Sequence, residues 1–211
     1  VAVVTGLAPD PYRPGYRVVE LDRGRFASLP DAALAPLALA PGESVAPPAL
    51  SRLHALADAE AAQRAAVRLL ALRSHARADL GRRLLRRQHP PAAVEAAITA
   101  LAERGLLDDQ AFAERWAATR ARRGLGPVRL VRDLVALGVD PKIADRAVRA
   151  GIEAEAIDIC DEARRCAARR LRTLPPLPAA AQRLRLAAYL QRRGYAAADA
   201  RLVVRGLCPN C

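Results

Sequence analysis

A leucine pair four residues apart occurs three times in this chain, as Leu80/Leu84, Leu130/Leu134 and Leu186/Leu190. Fourteen residues beyond the second leucine of each pair stands another apolar residue: Ile98, Val148 or Val204. Between them, Gln88, Gly138 and Gly194 fall at matching turn positions. Leucines at i and i+4 share one helical face. A short three-helix unit has too little apolar surface to stand alone, so self-similarity at offsets of 50 and then 56 residues predicts tandem helical units packed on their neighbours. The extra length in the second offset falls on Leu174-Pro175-Pro176-Leu177-Pro178, a stiff connector. The expected fold is mainly α, with three tandem three-helix repeats in a curved array and a small N-terminal β-rich domain. The expected boundaries are 1–50 for the β-rich domain, 51–106, 107–152 and 153–207 for the repeats, and 208–211 for a C-terminal tail.

The stretch from Gly105 to Val139 shows how the sequence punctuates one unit. Gly105 tolerates the left-handed conformation that ends a helix. Asp108 or Asp109 can cap the next helix and suits its positive end. Phe112 and Trp116, four apart, share a face. Arg120, Arg122 and Arg123 crowd the negative end of that helix. Gly124 and Gly126 close it, Pro127 suits the first turn of the next, and Leu130, Leu134 and Leu137 form an apolar stripe that Gly138 ends.

Leu107-Asp108-Asp109, then Phe112-Ala113, Arg120 through Pro127, Arg129-Leu130, and Leu134 before Gly138, closely resemble the second repeat of RecX, the bacterial regulator of the RecA recombinase. The run Tyr189-Leu190-Gln191-Arg192-Arg193-Gly194-Tyr195 resembles the third RecX repeat. The resemblance covers about residues 65–207. In repeat one, RecX proteins carry Ser where this chain has Ala76 and Glu where it has Asp79. That departure removes a capping oxygen and leaves Ser74 as an alternative cap. The missing signal, membrane span and catalytic motifs read as a cytoplasmic chain that is not an enzyme and needs no cofactor, and the resemblance implies a regulator. It would bind the RecA–DNA filament along its groove, bridge neighbouring protomers, and restrain ATP hydrolysis and strand exchange. It would be a monomer, with no membrane partner.

Charge alone points to a polyanionic partner. The net charge is +12, yet residues 1–55 hold five basic and five acidic residues, so the helical body carries the entire excess. Lys142 is the single lysine; the remaining basic residues are arginines. Arg82, Arg83, Arg86 and Arg87 fall on the second helix of repeat one, and Arg122, Arg123, Arg129 and Arg132 are assigned to the equivalent place in repeat two. Arg192 and Arg193 repeat Arg86 and Arg87. Equivalent placement would line one surface with positive charge; the plainer reading of any one arginine is a solubility charge. The alternative function is direct, non-sequence-specific binding of single- or double-stranded DNA, weak and dominated by phosphate contacts.

The head reads as three short strands, Val1–Val4, Tyr16–Leu21 and Arg25–Leu29. Arg23-Gly24 would form a tight hairpin connection with Gly supplying positive φ. Asp31 would cap a short helix through Leu39, and Pro41-Gly42 make a turn. A β-rich head also accompanies RecX proteins with an N-terminal extension. No basic start followed by an apolar run marks a signal peptide, no apolar run reaches the ~18 residues of a membrane span, and Val1 points to a trimmed or alternative start.

Catalytic motifs are absent. His54, His75 and His89 lack metal-ligand spacing. Gly124-Leu125-Gly126-Pro127 lacks the Lys-Ser/Thr of a phosphate loop and reads as a helix connector. Cys208-Pro209-Asn210-Cys211 has zinc or redox spacing, while Cys160 and Cys166 point to different helical faces, so a frayed reduced tail outweighs a zinc site. An enzyme built on a C-terminal zinc site is the weakest of the readings.

Overall fold

A computed structural model describes residues 2–22 and 24–207. The chain divides into two compact units, one of residues 1–74 and 80–106, the other of residues 75–79 and 107–211.

In the first unit, β1 (Ala2–Pro9), β2 (Tyr16–Leu21), β3 (Gly24–Pro30) and β4 (Ser44–Val45) form an antiparallel sheet in the order β3-β2-β1-β4. The first strand runs through Gly6 instead of stopping there, and its register with β2 shifts between Val4 and Gly6. A Cβ at Gly6 would lie 2.6 Å from Glu20 Oε2, the end of an exposed side chain that would have to move. The fourth strand, two residues long, pairs Ala2 and Val3 with Val45 and Ser44. In the hairpin it is Asp22, at φ 50°, that takes the left-handed conformation, while Gly24 belongs to β3. Asp31 lies in the first turn of α1 (Asp31–Leu34), with Pro30 at the cap, and its carboxylate pairs with Arg17 at 3.2 Å. A 3₁₀ turn, Ala35–Leu37, follows.

One helix joins the sheet to the helical part. α2 (Pro47–Leu72) has 26 residues, about 39 Å of axis. Its first half buries Leu53 against Val4, Val19, Leu29, Leu34 and Val45. Its second half sets Ala62 against Ala93 and Ala97 of the next-but-one helix. A domain boundary at residue 50 therefore falls inside α2. α3 (Arg77–Arg86) and α4 (Pro91–Glu103) follow, with Leu80, Leu84 and Leu101 fully buried. Each such leucine contributes roughly 1.5–3 kcal/mol.

The second unit contains α5 (Asp109–Ala121), α6 (Pro127–Ala136), α7 (Pro141–Ala154), α8 (Ile159–Leu171), α9 (Ala179–Arg192) and α10 (Ala197–Leu207). Small residues bring α5 and α7 close together. Ala113, Ala117 and Ala121 pack with Ala144 and Ala147, and a Cβ on Gly151 would lie 2.6 Å from Glu114 O. The buried set is chiefly Leu, Ala and Val, as a chain with 3% aromatics requires. The mainly helical class with a small N-terminal sheet is thus the one read from the sequence.

The repeat signal has a structural counterpart. Gln88, Gly138 and Gly194 all lie in the left-handed region, at φ 64°, 89° and 91°. After α3, α6 and α9 the same pair of bonds closes the helix. Gln88 N–H donates to Leu85 O and His89 N–H to Leu84 O. Gly138 and Val139 donate to Val135 and Leu134, and Gly194 and Tyr195 to Gln191 and Leu190. This is the Schellman ending, which satisfies otherwise orphaned carbonyls.

Candidate partner-binding surface

The paired aspartates cap two different helices. Asp108 accepts from Ala111 N–H at 3.0 Å, closing the start of its own α5. Asp109 accepts from Arg77 N–H at 2.8 Å, closing the start of α3 instead. The oxygen lost at Ala76 is therefore supplied from another helix, not from Ser74. His75 Nδ1 and Asp79 Oδ2 lie 2.8 Å apart, both residues buried.

The Gly124–Pro127 connector is a docking surface between three-helix units. Gly126 N–H donates to Arg193 O at 2.9 Å, and Val128 N–H to Gly194 O at 3.1 Å. This backbone splice leaves no room for side chains. A Cβ on Gly126 would overlap the carbonyl of Gly194 and the amide of Tyr195, and one on Gly194 would overlap Arg129. Beneath the splice, Cys166 is buried with its thiol 3.6 Å from Gly124 O. Burial of Tyr195 pushes its phenol well above the ordinary value, and among the described residues its hydroxyl has no hydrogen-bond partner. The phenol therefore stays protonated and neutral.

The ten arginines singled out from the sequence separate by environment. Arg193 Nη1 donates to Arg123 O at 3.1 Å and Gly124 O at 3.0 Å. Those are carbonyls of the turn that follows α5, close to its negative end, where a cation belongs. Arg129 pairs with Asp133 at 3.3 Å and donates to Arg192 O at 3.4 Å. Arg122 pairs with Glu155. Arg122 and Arg123 lie beyond the end of α5, so of the repeat-two set only Arg129 and Arg132 sit on the second helix of the unit, α6. Arg132 approaches Asp133 at 3.6 Å but stays 70% exposed. Arg82 is exposed and Arg83 half-buried on α3, and both have partners within the chain. Arg86, Arg87, Arg123 and Arg192 present exposed side chains.

A second basic cluster escaped the repeat logic: Arg13, Arg64, Arg68 and Arg104, in the first unit. The four-residue spacing of Arg64 and Arg68 was the available signal. Among the described residues no group of three His, Cys, Asp or Glu side chains is placed to hold a metal ion. Cys208 and Cys211 lie outside the described residues. Among the described residues no helix is long and apolar enough to cross a membrane.

Three-helix units with Schellman-closed second helices, the last two spliced backbone to backbone beneath arginine-rich helix ends, define a tandem three-helix-domain protein. Residues 108–148 match the family model for the second three-helix domain of RecX, and residues 157–204 that for the third. A regulatory protein RecX from Halorhodospira halophila is 41% identical over 145 residues, covering 69% of this chain and 87% of that one. One from Pseudomonas fluorescens is 40% identical over 89 residues, 42% of this chain and 57% of that one. Two crystal structures share the fold. One of a regulatory protein RecX has a TM-score of 0.73 at 17% identity, with 96% of this chain and 98% of that chain covered. One of RecX from Lactobacillus salivarius has a TM-score of 0.59 at 18% identity, with 71% and 96% covered. The chain belongs to the RecX family of regulatory proteins.

Proposed function

We propose that this protein regulates RecA by binding the RecA–DNA filament and inhibiting its ATPase and strand-exchange activities, as a cytoplasmic monomer and without catalysis of its own. The observation that carries the reading is the 41% identity that spans 87% of the Halorhodospira regulatory protein RecX. A helical-repeat protein needs no active site for this work, because several modest contacts along a repeating partner add through effective concentration. The exposed arginines Arg86, Arg87, Arg123, Arg132 and Arg192 are the contact residues, with Arg82 and Arg83 beside the first pair. Arg193, Arg129 and Arg122 act indirectly, by holding the neighbouring helix ends in place.

Titrating RecA's DNA-dependent ATP hydrolysis with the protein at two salt concentrations tests the reading. Inhibition well below one copy per RecA, surviving at higher salt, is the expected outcome. Inhibition only near DNA-saturating amounts, vanishing with salt, would favour the second reading, direct phosphate-dominated binding to DNA. Within the first reading, Arg86→Ala with Arg87→Ala weakens filament inhibition more than binding to naked DNA; equal losses would count against the filament as target.

A further inference from the structure

The β1–β2 connection, the second half of α2 and the end of α4 surround a pocket of about 360 Å³, lined by Arg13, Tyr16, Glu60, Arg64, Arg68 and Arg104 among others. Four cations here face one carboxylate, and that carboxylate is occupied. Glu60, only 7% exposed, accepts from Arg13 Nη2 at 2.6 Å. The other terminal nitrogen, Arg13 Nη1, is buried without a hydrogen-bond partner among the described residues. Buried donors are nearly always paired, and a charged one is the costliest to leave unmade. The Arg13 guanidinium also lies 3.6 Å over the Tyr16 ring. Arg64 and Arg68 are exposed on one face of α2, Arg104 follows the last residue of α4, and none of the three forms an ion pair among the described residues. The pocket thus carries unbalanced positive charge on arginine side chains, the requirement of a phosphate group.

Beside it stands Tyr12, 89% exposed. Its loop is rigid. Asp10 accepts from Tyr12 N–H at 2.9 Å and from the Ser28 hydroxyl at 2.5 Å, which holds its carboxyl below the usual range. Asp10 N–H donates to Tyr16 O at 2.9 Å, and Tyr16 N–H to Arg13 O at 3.1 Å. These bonds hold the backbone that carries an exposed aromatic ring one residue from Arg13 of the cation-lined pocket. Phosphate contacts next to a stacking ring are how single strands are held; a duplex keeps its base faces stacked inside.

We propose that this pocket seats a backbone phosphate of single-stranded nucleic acid, with Tyr12 stacking on an adjoining base. The site shares no residue with the arginines assigned to the RecA filament, and it stands or falls without that reading.

The test uses the full chain and a labelled oligothymidylate, followed by fluorescence anisotropy across a salt series. Arg64→Ala with Arg68→Ala weakens binding and flattens the slope of log K against log salt by about 1.4, since each phosphate contact on a single strand is worth about 0.7. Tyr12→Ala weakens binding roughly tenfold at unchanged slope, and Tyr12→Phe restores it. Arg164→Ala with Arg172→Ala removes two exposed charges elsewhere as a comparison. If that pair flattens the slope equally, general charge is responsible and the pocket is not a site. An unchanged slope in the Arg64/Arg68 variant overturns the proposal directly. Thymidine triphosphate displacing the oligonucleotide at equal phosphate concentration would assign the pocket to free nucleotides and overturn the single-strand reading.

Discussion

Arg86–Arg87 and Arg192–Arg193 occupy the same place in their units. Each pair sits where the second helix ends, immediately before a left-handed residue. After α9, Arg193 reaches across 70 residues of sequence to the carbonyls of the turn that follows α5, and Gly194 lies against Arg129 with no room for a Cβ. After α3, Arg86 and Arg87 are exposed, and the left-handed residue is an exposed glutamine. The repeat fixes where a cation stands along a helix; whether it becomes part of the fold depends on what packs against the turn. The same sequence signature therefore marks a structural clamp in one unit and exposed charge in another.

That contrast can be broken most sharply at the glycine. Gly194→Ala adds a Cβ to a left-handed backbone already against Arg129, and should cost more than about 3 kcal/mol. A fall of that size in the urea midpoint checks it; a loss under about 1 kcal/mol would mean the splice opens easily. Next come the arginines. Arg193→Ala leaves two carbonyls of the turn that follows α5 without their charged donor and should cost about 2 kcal/mol. Arg87→Ala should change stability by less than about 0.5 kcal/mol, because it removes only an exposed side chain. Equal melting shifts for the two variants would erase the distinction between clamp and surface. The smallest effect is at the glutamine. Gln88→Gly relieves a left-handed Cβ and should stabilise by up to about 1 kcal/mol. Thermal denaturation that shows a loss instead would mean that the glutamine side chain contributes contacts of its own.

Much of the helical fold was legible because its signals are local. Gly138 and Gly194 mark Schellman turns, Asp140 caps the helix that follows Gly138, and the leucine pairs give the buried faces. Gln88 could be aligned with those glycines by spacing alone, though nothing in its chemistry announces positive φ. What stayed hidden is tertiary. Asp109 looks like a second cap for α5, and only the placement of Arg77 shows that it serves α3. Arg193 reads as a surface charge until the carbonyls of Arg123 and Gly124 come beside it. β4, two residues long, has no pattern to detect, and it belongs to the sheet through two pairings with β1. The basic pocket was invisible for the same reason: Arg13 and Arg64 are far apart in sequence, and their meeting depends on how α2 lies over the sheet.

α2 has a thermodynamic consequence of its own. A single rod of 26 residues is core for the sheet at one end and core for α4 at the other. The head is therefore no detachable module. A fragment starting at residue 51 would lose Pro47, Pro48 and the first turn, leave Leu53 near a frayed end, and strip Ala62 of a stable backbone. Within the first unit, unfolding of the sheet would therefore expose one end of the same helix that packs on α4 at the other.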